Sequence, residues 1–174
     1  MTRIVIYALA ALTLSLSLGG CTRAAFVKPP ADANLTSDIT IVVPKSEPWI
    51  EIRNGTYIGG KGIMTRLPLH LAETYYAAAD YGKRHGHRYF AVRNATTDNL
   101  AGFPINTFEG MLFYCGLAGR GHFRSTCWHY DRKESIMRAG HATLKVLYFD
   151  DPLPGYFLYD IDRTLAETRA RMGR

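Results

Sequence analysis

Cys115 and Cys127 are the side chains of this 174-residue chain best placed to do chemistry. Eleven residues separate them, His122 among these, and His129 stands two places after Cys127. Three kinds of chemistry fit the set. Two thiolates and two imidazoles are donors that zinc accepts, but Cys115-x11-Cys127-x-His129 follows none of the usual zinc spacings. A Cys115 thiolate with His129 as its base is the outline of a cysteine hydrolase. Two cysteines across a loop can also close a disulfide. The remaining candidates are thinner. His85-Gly86-His87 puts two imidazoles one residue apart with no acid adjacent, which fits a basic surface cluster better than a metal site. Asp150-Asp151 and Asp160/Asp162 are paired carboxylates, yet beside proline and at a helix start they read as turn and cap. Gly59-Gly60-Lys61-Gly62 lacks the phosphate-loop spacing and the hydroxyl after lysine, and there is no G-x-S-x-G. No catalytic residue, metal or cofactor is assigned, and the chain reads as a non-enzyme, with a hydrolase as the least favoured alternative.

The compartment decides between the cysteine readings. The chain starts Met1-Thr2-Arg3, residues 4–18 carry no charge, and Gly19-Gly20-Cys21 follow. A basic start, a short apolar run and small residues before a cut site make a secretory signal. Fifteen uncharged residues fall short of the roughly 20 that a transmembrane helix needs. The segment Leu18-Gly19-Gly20-Cys21 resembles the lipobox of bacterial lipoproteins. That resemblance implies cleavage before Cys21 and acylation of its sulfur and new amino group, giving three acyl chains. One myristoyl-length chain binds a bilayer only marginally, so three make a lasting anchor. Thr22 in place of Asp implies an outer-membrane address, facing the periplasm. With Cys21 carrying lipid, Cys115 and Cys127 form an even pair in an oxidising compartment and are expected to be a disulfide. Closing a loop of that size stabilises by about 3 kcal/mol in the chain-entropy model.

Residues 1–20 are therefore read as signal, 21–37 as a lipidated tether marked by Pro29-Pro30, and 38–174 as one periplasmic domain. The precursor has 21 Lys plus Arg against 15 Asp plus Glu, so loss of Arg3 leaves 20 − 15 = +5. The positive charge bunches at residues 83–88 and 120–124. Lys83, Arg84, Arg88, Arg120 and Arg124 are the candidate contacts for an anionic ligand, either cell-wall polymer or anionic lipid. Export makes nucleic acid a poor match for this charge. A solvated basic surface is the plainer reading.

The elements that must position these residues are mostly legible. Residues 38–43 are β-branched, and residues 49–53 alternate apolar and polar, as strands do. Asn54-Gly55 predicts a tight turn, with residues 56–58 as a partner strand and 61–66 as a loop or a further short strand. A helix is expected from Pro68 to His85, with Leu71, Ala72, Tyr75, Ala78, Ala79 and Gly82 on one face and Gly86 as its stop. Residues 87–93 read as a strand with Phe90 and Val92 on one side. Residues 94–106 read as a loop, and 109–114 and 126–130 as strands flanking the cysteine loop. Residues 141–149 are a strong strand, 150–155 a turn, and 163–172 a helix capped by Asp160 or Asp162. The sum is an α+β fold, a mostly antiparallel sheet with one long helix packed on it and a C-terminal helix.

Ala72, Ala78, Ala79, Gly86, Tyr89 and Phe90 also make an alanine-rich helix, a glycine stop and a Tyr-Phe strand. That unit resembles one found in small uncharacterised bacterial envelope lipoproteins, and implies a fold without an activity. The expected role is a lipid-anchored, non-enzymatic structural, assembly or accessory factor of the envelope, in contact with the membrane and with other envelope proteins.

Overall fold

β-branched and alternating stretches pair into an antiparallel sheet, and one long helix lies across it. The computed structural model describes residues 24–56, 63–93, 106–114, 116–117, 137–138, 141–155 and 157–174. The expectations placed on Cys21, Cys115, Cys127, Arg120, Arg124, His122, His129 and strand 126–130 lie outside the described residues. The strands are β1 (Ala25–Val27), β2 (Ile39–Val43), β3 (Ile50–Asn54), β4 (Tyr89–Arg93), β5 (Met137–Arg138), β6 (His141–Phe149) and β7 (Tyr159–Asp160). The helices are α1 (Ile63–Arg84), α2 (Phe108–Tyr114) and α3 (Ile161–Arg171).

The strands run β1-β2-β3-β6-β4-β7 across the sheet, and β5 pairs with the start of β6. Every pairing is antiparallel. This is the expected α+β class. Period-two alternation sends Ile39, Ile41, Ile52, Leu144, Val146, Phe90 and Val92 into the core. Glu51, Arg53, Thr143, Lys145, Leu147 and Phe149 fall on the other face, where Glu51 pairs with Arg53 and approaches Lys145 at 4.0 Å.

α1 is buried on every side over residues 70–79, not only on the expected face. The sheet covers one side and α3 and α2 cover the other. Glycine makes the close approach possible. A Cβ on Gly82 would lie 2.5 Å from a ring carbon of Tyr148 and 2.7 Å from Ile161 Cδ1. The helix ends in a Schellman motif, as the glycine stop predicts. Gly86 takes φ +82°, its N–H donates to Lys83 O at 3.1 Å, and His87 N–H donates to Gly82 O at 3.0 Å. An aromatic cluster fills the centre. Tyr75 packs on Phe108 at 5.3 Å and on Tyr159 at 5.2 Å between centroids, and Phe90 stacks on Tyr159 at 5.0 Å.

Five local expectations are corrected. α1 starts at Ile63, so residues 63–66 are helix and Pro68 lies inside it. Pro68 lacks the N–H that would reach residue 64, and burial of Leu67 and Leu71 holds the turn despite that missing bond. Residues 109–114 form helix α2, not a strand. Thr107 Oγ1 accepts from Gly110 N–H at 2.9 Å as an N-cap, and Phe108, Met111 and Leu112 bury at helical spacing. Asn54-Gly55 is no hairpin turn. Asn54 closes β3 opposite Ile39, and Gly55 N–H donates to Asp38 O at 2.8 Å. Within the stretch read as a tether, residues 25–27 form edge strand β1 on β2, residues 31–33 make a 3-10 turn, and Ala33 is buried. The C-terminal helix begins at Ile161, because Asp160 is its cap and accepts from Arg163 N–H at 2.9 Å.

Candidate functional site

Of the candidate anion-binding residues, Lys83, Arg84 and Arg88 are described, and all three sit where α1 turns into β4. Each already has company. Lys83 Nζ donates to Asp162 Oδ1 at 2.7 Å, and Arg84 Nε donates to Asp80 Oδ2 at 2.9 Å. The Arg88 guanidinium lies 5.5 Å from the centre of the Tyr89 ring. His87 Nδ1 meets Asp150 Oδ1 at 2.7 Å. Such exposed pairs stabilise by only about 0–1 kcal/mol. Their effect on the field is larger, since carboxylates within bonding distance of Lys83 and Arg84 offset these two cations well inside a Debye length of about 8 Å. This end of the molecule is a mixed-charge surface.

The two histidines here do not converge. His85 Nδ1 donates to Tyr81 O at 2.7 Å, and its ring stacks on Tyr81 at 4.0 Å. The His87 ring stacks on Tyr148 at 5.3 Å. Among the described residues, no three His, Cys, Asp or Glu side chains gather as a metal would require. The paired carboxylates are likewise occupied, Asp160 as a cap and Asp162 and Asp150 in ion pairs.

A second polar group, which no sequence motif marks, lies buried against α1. Asn54, His70, Glu73 and Thr74 are each at most 3% exposed. Thr74 Oγ1 donates to His70 O at 2.7 Å, and Asn54 Nδ2 donates to Thr74 Oγ1 at 3.1 Å. Asn54 Oδ1 accepts from Thr56 N–H at 3.1 Å, so the amide joins the end of β3 to the helix. Glu73 Oε1 accepts from both Thr36 N–H at 2.7 Å and Thr36 Oγ1 at 2.6 Å. Its Oε2 is buried with no hydrogen-bond partner among the described residues. At 1% exposure this carboxyl meets no solute unless α1 moves. Its role is to clamp the segment before β2 onto the helix. The one sequence signal for it is a single acid, Glu73, set between Ala72 and Tyr75 on the apolar side of the helix.

The same N-terminal segment is held from the other end of the chain. Arg174 Nη1 donates to Ala33 O at 2.5 Å, and Arg174 Nη2 contacts Asn34 O. Lys28 Nζ donates to Asp38 Oδ1 at 2.5 Å. β1 then stands at the sheet edge, with Val27 packed on the core and Phe26 turned outward, 68% exposed. Burial also acts on the tyrosines of the core, raising the hydroxyl of Tyr75 well above its usual range and that of Tyr159 to about 12. Their hydroxyls lie 3.4 Å apart and stay protonated donors. Set beside protein-family models, curated proteins and solved structures, the chain gives no match.

Proposed function

We propose that this protein is a lipid-anchored component of the bacterial cell envelope, outer-membrane bound and facing the periplasm. Its α+β domain acts by contact, as a structural, assembly or accessory factor, and not by turnover. The observation that carries the reading is Leu18-Gly19-Gly20-Cys21 after a basic start and a short uncharged run. The fold adds support from its wiring. The chain resumes as a sheet strand at Ala25, four residues beyond Cys21, and the following segment is clamped by Glu73 and Arg174. A domain secured at that end transmits a pull on the anchor into its core instead of fraying. Cys115 and Cys127 are proposed as a disulfide in the same compartment.

Recognition of cell-wall polymer or anionic lipid through Lys83, Arg84, Arg88, Arg120 and Arg124 has weaker support. Lys83 and Arg84 already face Asp162 and Asp80. The test is intact-mass analysis of envelope-extracted protein, alkylated without reduction, for wild type and Cys21→Ala. The expected wild-type mass is that of residues 21–174 with three acyl chains and no alkylated thiol. An unacylated wild type that leaves the membrane with carbonate would overturn the anchor. Two alkylated thiols would overturn the disulfide.

A further inference from the structure

We infer that the β1 edge of the sheet rests on the bilayer that holds Cys21, with Phe26 seated at the boundary between headgroups and acyl chains. The inference rests on the lipid-anchor reading and adds to it an orientation and a contact surface. Chain reach carries the argument. From Cys21 to Ala25 there are four residue steps, which span at most about 14 Å when fully extended. The acylated cysteine sits at the headgroup level, so β1 cannot stand clear of the membrane by more than that. A free tether through residue 37 would have let the domain drift. A strand that begins at residue 25 does not.

The side chain at that place suits the position. Phe26 points away from the core and is 68% exposed, the second most exposed of the large apolar side chains described. Its cross-strand neighbour Val42 is buried, so Phe26 itself is the apolar side chain that the strand offers at its outer face. Lys28 follows the strand directly, and its Nζ is held by Asp38 Oδ1 at 2.5 Å, so the contact rests on Phe26 and not on a free cation. An outward aromatic ring at the strand nearest the acylated cysteine suits the boundary between headgroups and acyl chains. β1 is three residues long and is followed by Lys28-Pro29-Pro30, which suits a lipid contact better than addition of a partner strand.

The orientation has a consequence for the opposite edge. Five strand spacings separate β1 from β7, about 24 Å. The α1–β4 corner bearing Lys83, Arg84 and Arg88 is therefore directed away from the anchoring leaflet. Any anionic partner of that corner would be a soluble or cell-wall species, not a lipid of the same membrane.

The experiment uses the mature, lipidated full chain in vesicles of phosphatidylethanolamine with phosphatidylglycerol, with and without brominated acyl chains. Phe26→Trp is compared with Leu153→Trp, placed in the turn that leads to the far edge, each read as the difference from wild type with its Trp49 and Trp128. The expected result is a blue-shifted Phe26→Trp emission that brominated lipid quenches, while Leu153→Trp is quenched by aqueous acrylamide alone. If the acylated protein floats with the vesicles but Phe26→Trp stays open to acrylamide, the docking is overturned and the anchor stands. Protection of Phe26→Trp from both quenchers would assign the edge to a protein contact, a second copy included, and also overturns the docking. Absence of acyl mass and of flotation would overturn both together.

Discussion

Replacing Gly82 by alanine sets two physical effects against each other, and the structure decides the sign. In an open helix the change gains about 0.8–1.0 kcal/mol, because alanine restricts the unfolded chain and favours the helix. Here the new methyl would lie 2.5 Å and 2.8 Å from two ring carbons of Tyr148 and 2.7 Å from Ile161 Cδ1. Carbon atoms pack at about 3.5–4.0 Å, so both neighbours must retreat by about 1 Å. Neither is free to do so. Ile161 is buried, and the Tyr148 hydroxyl donates to Ala78 O at 2.7 Å on α1 itself. Overpacking costs about 1–3 kcal/mol, and swinging the ring forfeits a hydrogen bond of about 0.5–1.5 kcal/mol. The balance is a net destabilisation near 2 kcal/mol after the helix gain. At about 2–4 °C per kcal/mol for a domain of this size, Tm should fall by about 4–8 °C. Thermal unfolding followed by far-ultraviolet circular dichroism reads it. In a Tyr148→Leu background the loss should shrink but not vanish, since the ring atoms are gone while the Ile161 contact at 2.7 Å remains. A Tm for Gly82→Ala equal to or above wild type would refute the close approach of α1 to β6 and α3.

Two further outcomes follow from the buried polar groups. Thr36→Val removes the Oγ1 donor to Glu73 while its N–H remains, and should cost about 1–3 kcal/mol. Hydrogen exchange in residues 31–37 should accelerate ahead of the sheet, and uniform exchange together with an unmoved urea midpoint would rule out the clamp. At alkaline pH the tyrosines control stability. Tyr75 and Tyr159 have folded-state values raised above 10, the latter to about 12, because burial disfavours the phenolate. The unfolded chain loses these protons first, so the stabilisation is intact below pH 10 and falls as pH rises through 12. Each tenfold difference in proton affinity between the folded and unfolded chain is worth about 1.4 kcal/mol. Urea midpoints should drop across pH 10–12, with phenolate absorbance rising in step with unfolding, whereas smooth titration of these hydroxyls in the folded protein would contradict their burial.

Local pattern accounted for the elements that bury a full face. β3 and β6 alternate over five and nine residues, β2 and β4 are β-branched or aromatic runs with consecutive residues buried, and the glycine stop at Gly86 ends α1 where its spacing ends. Pattern failed where the deciding partner is distant in sequence. Gly110-Met111-Leu112-Phe113-Tyr114 is an apolar run that suits strand or helix alike, and the hydroxyl of Thr107 settles it as helix. Glu73 is buried because Thr36, 37 residues earlier, returns to it. No helical period carries that information. β1 is the sharpest case. Ala25-Phe26-Val27 is too short to show alternation and exists as a strand only through Val43, Val42 and Ile41. Under the proposed lipid anchor, this element would set the length of the membrane link. On that reading, a chain that folds from Lys28 onward would hold the domain at a distance, and one that folds from Ala25 would hold it against the surface. On the proposed anchoring, the few residues whose structure local sequence cannot announce would thus decide how the domain is presented, because β1 is made by its pairing with β2 and not by its own pattern.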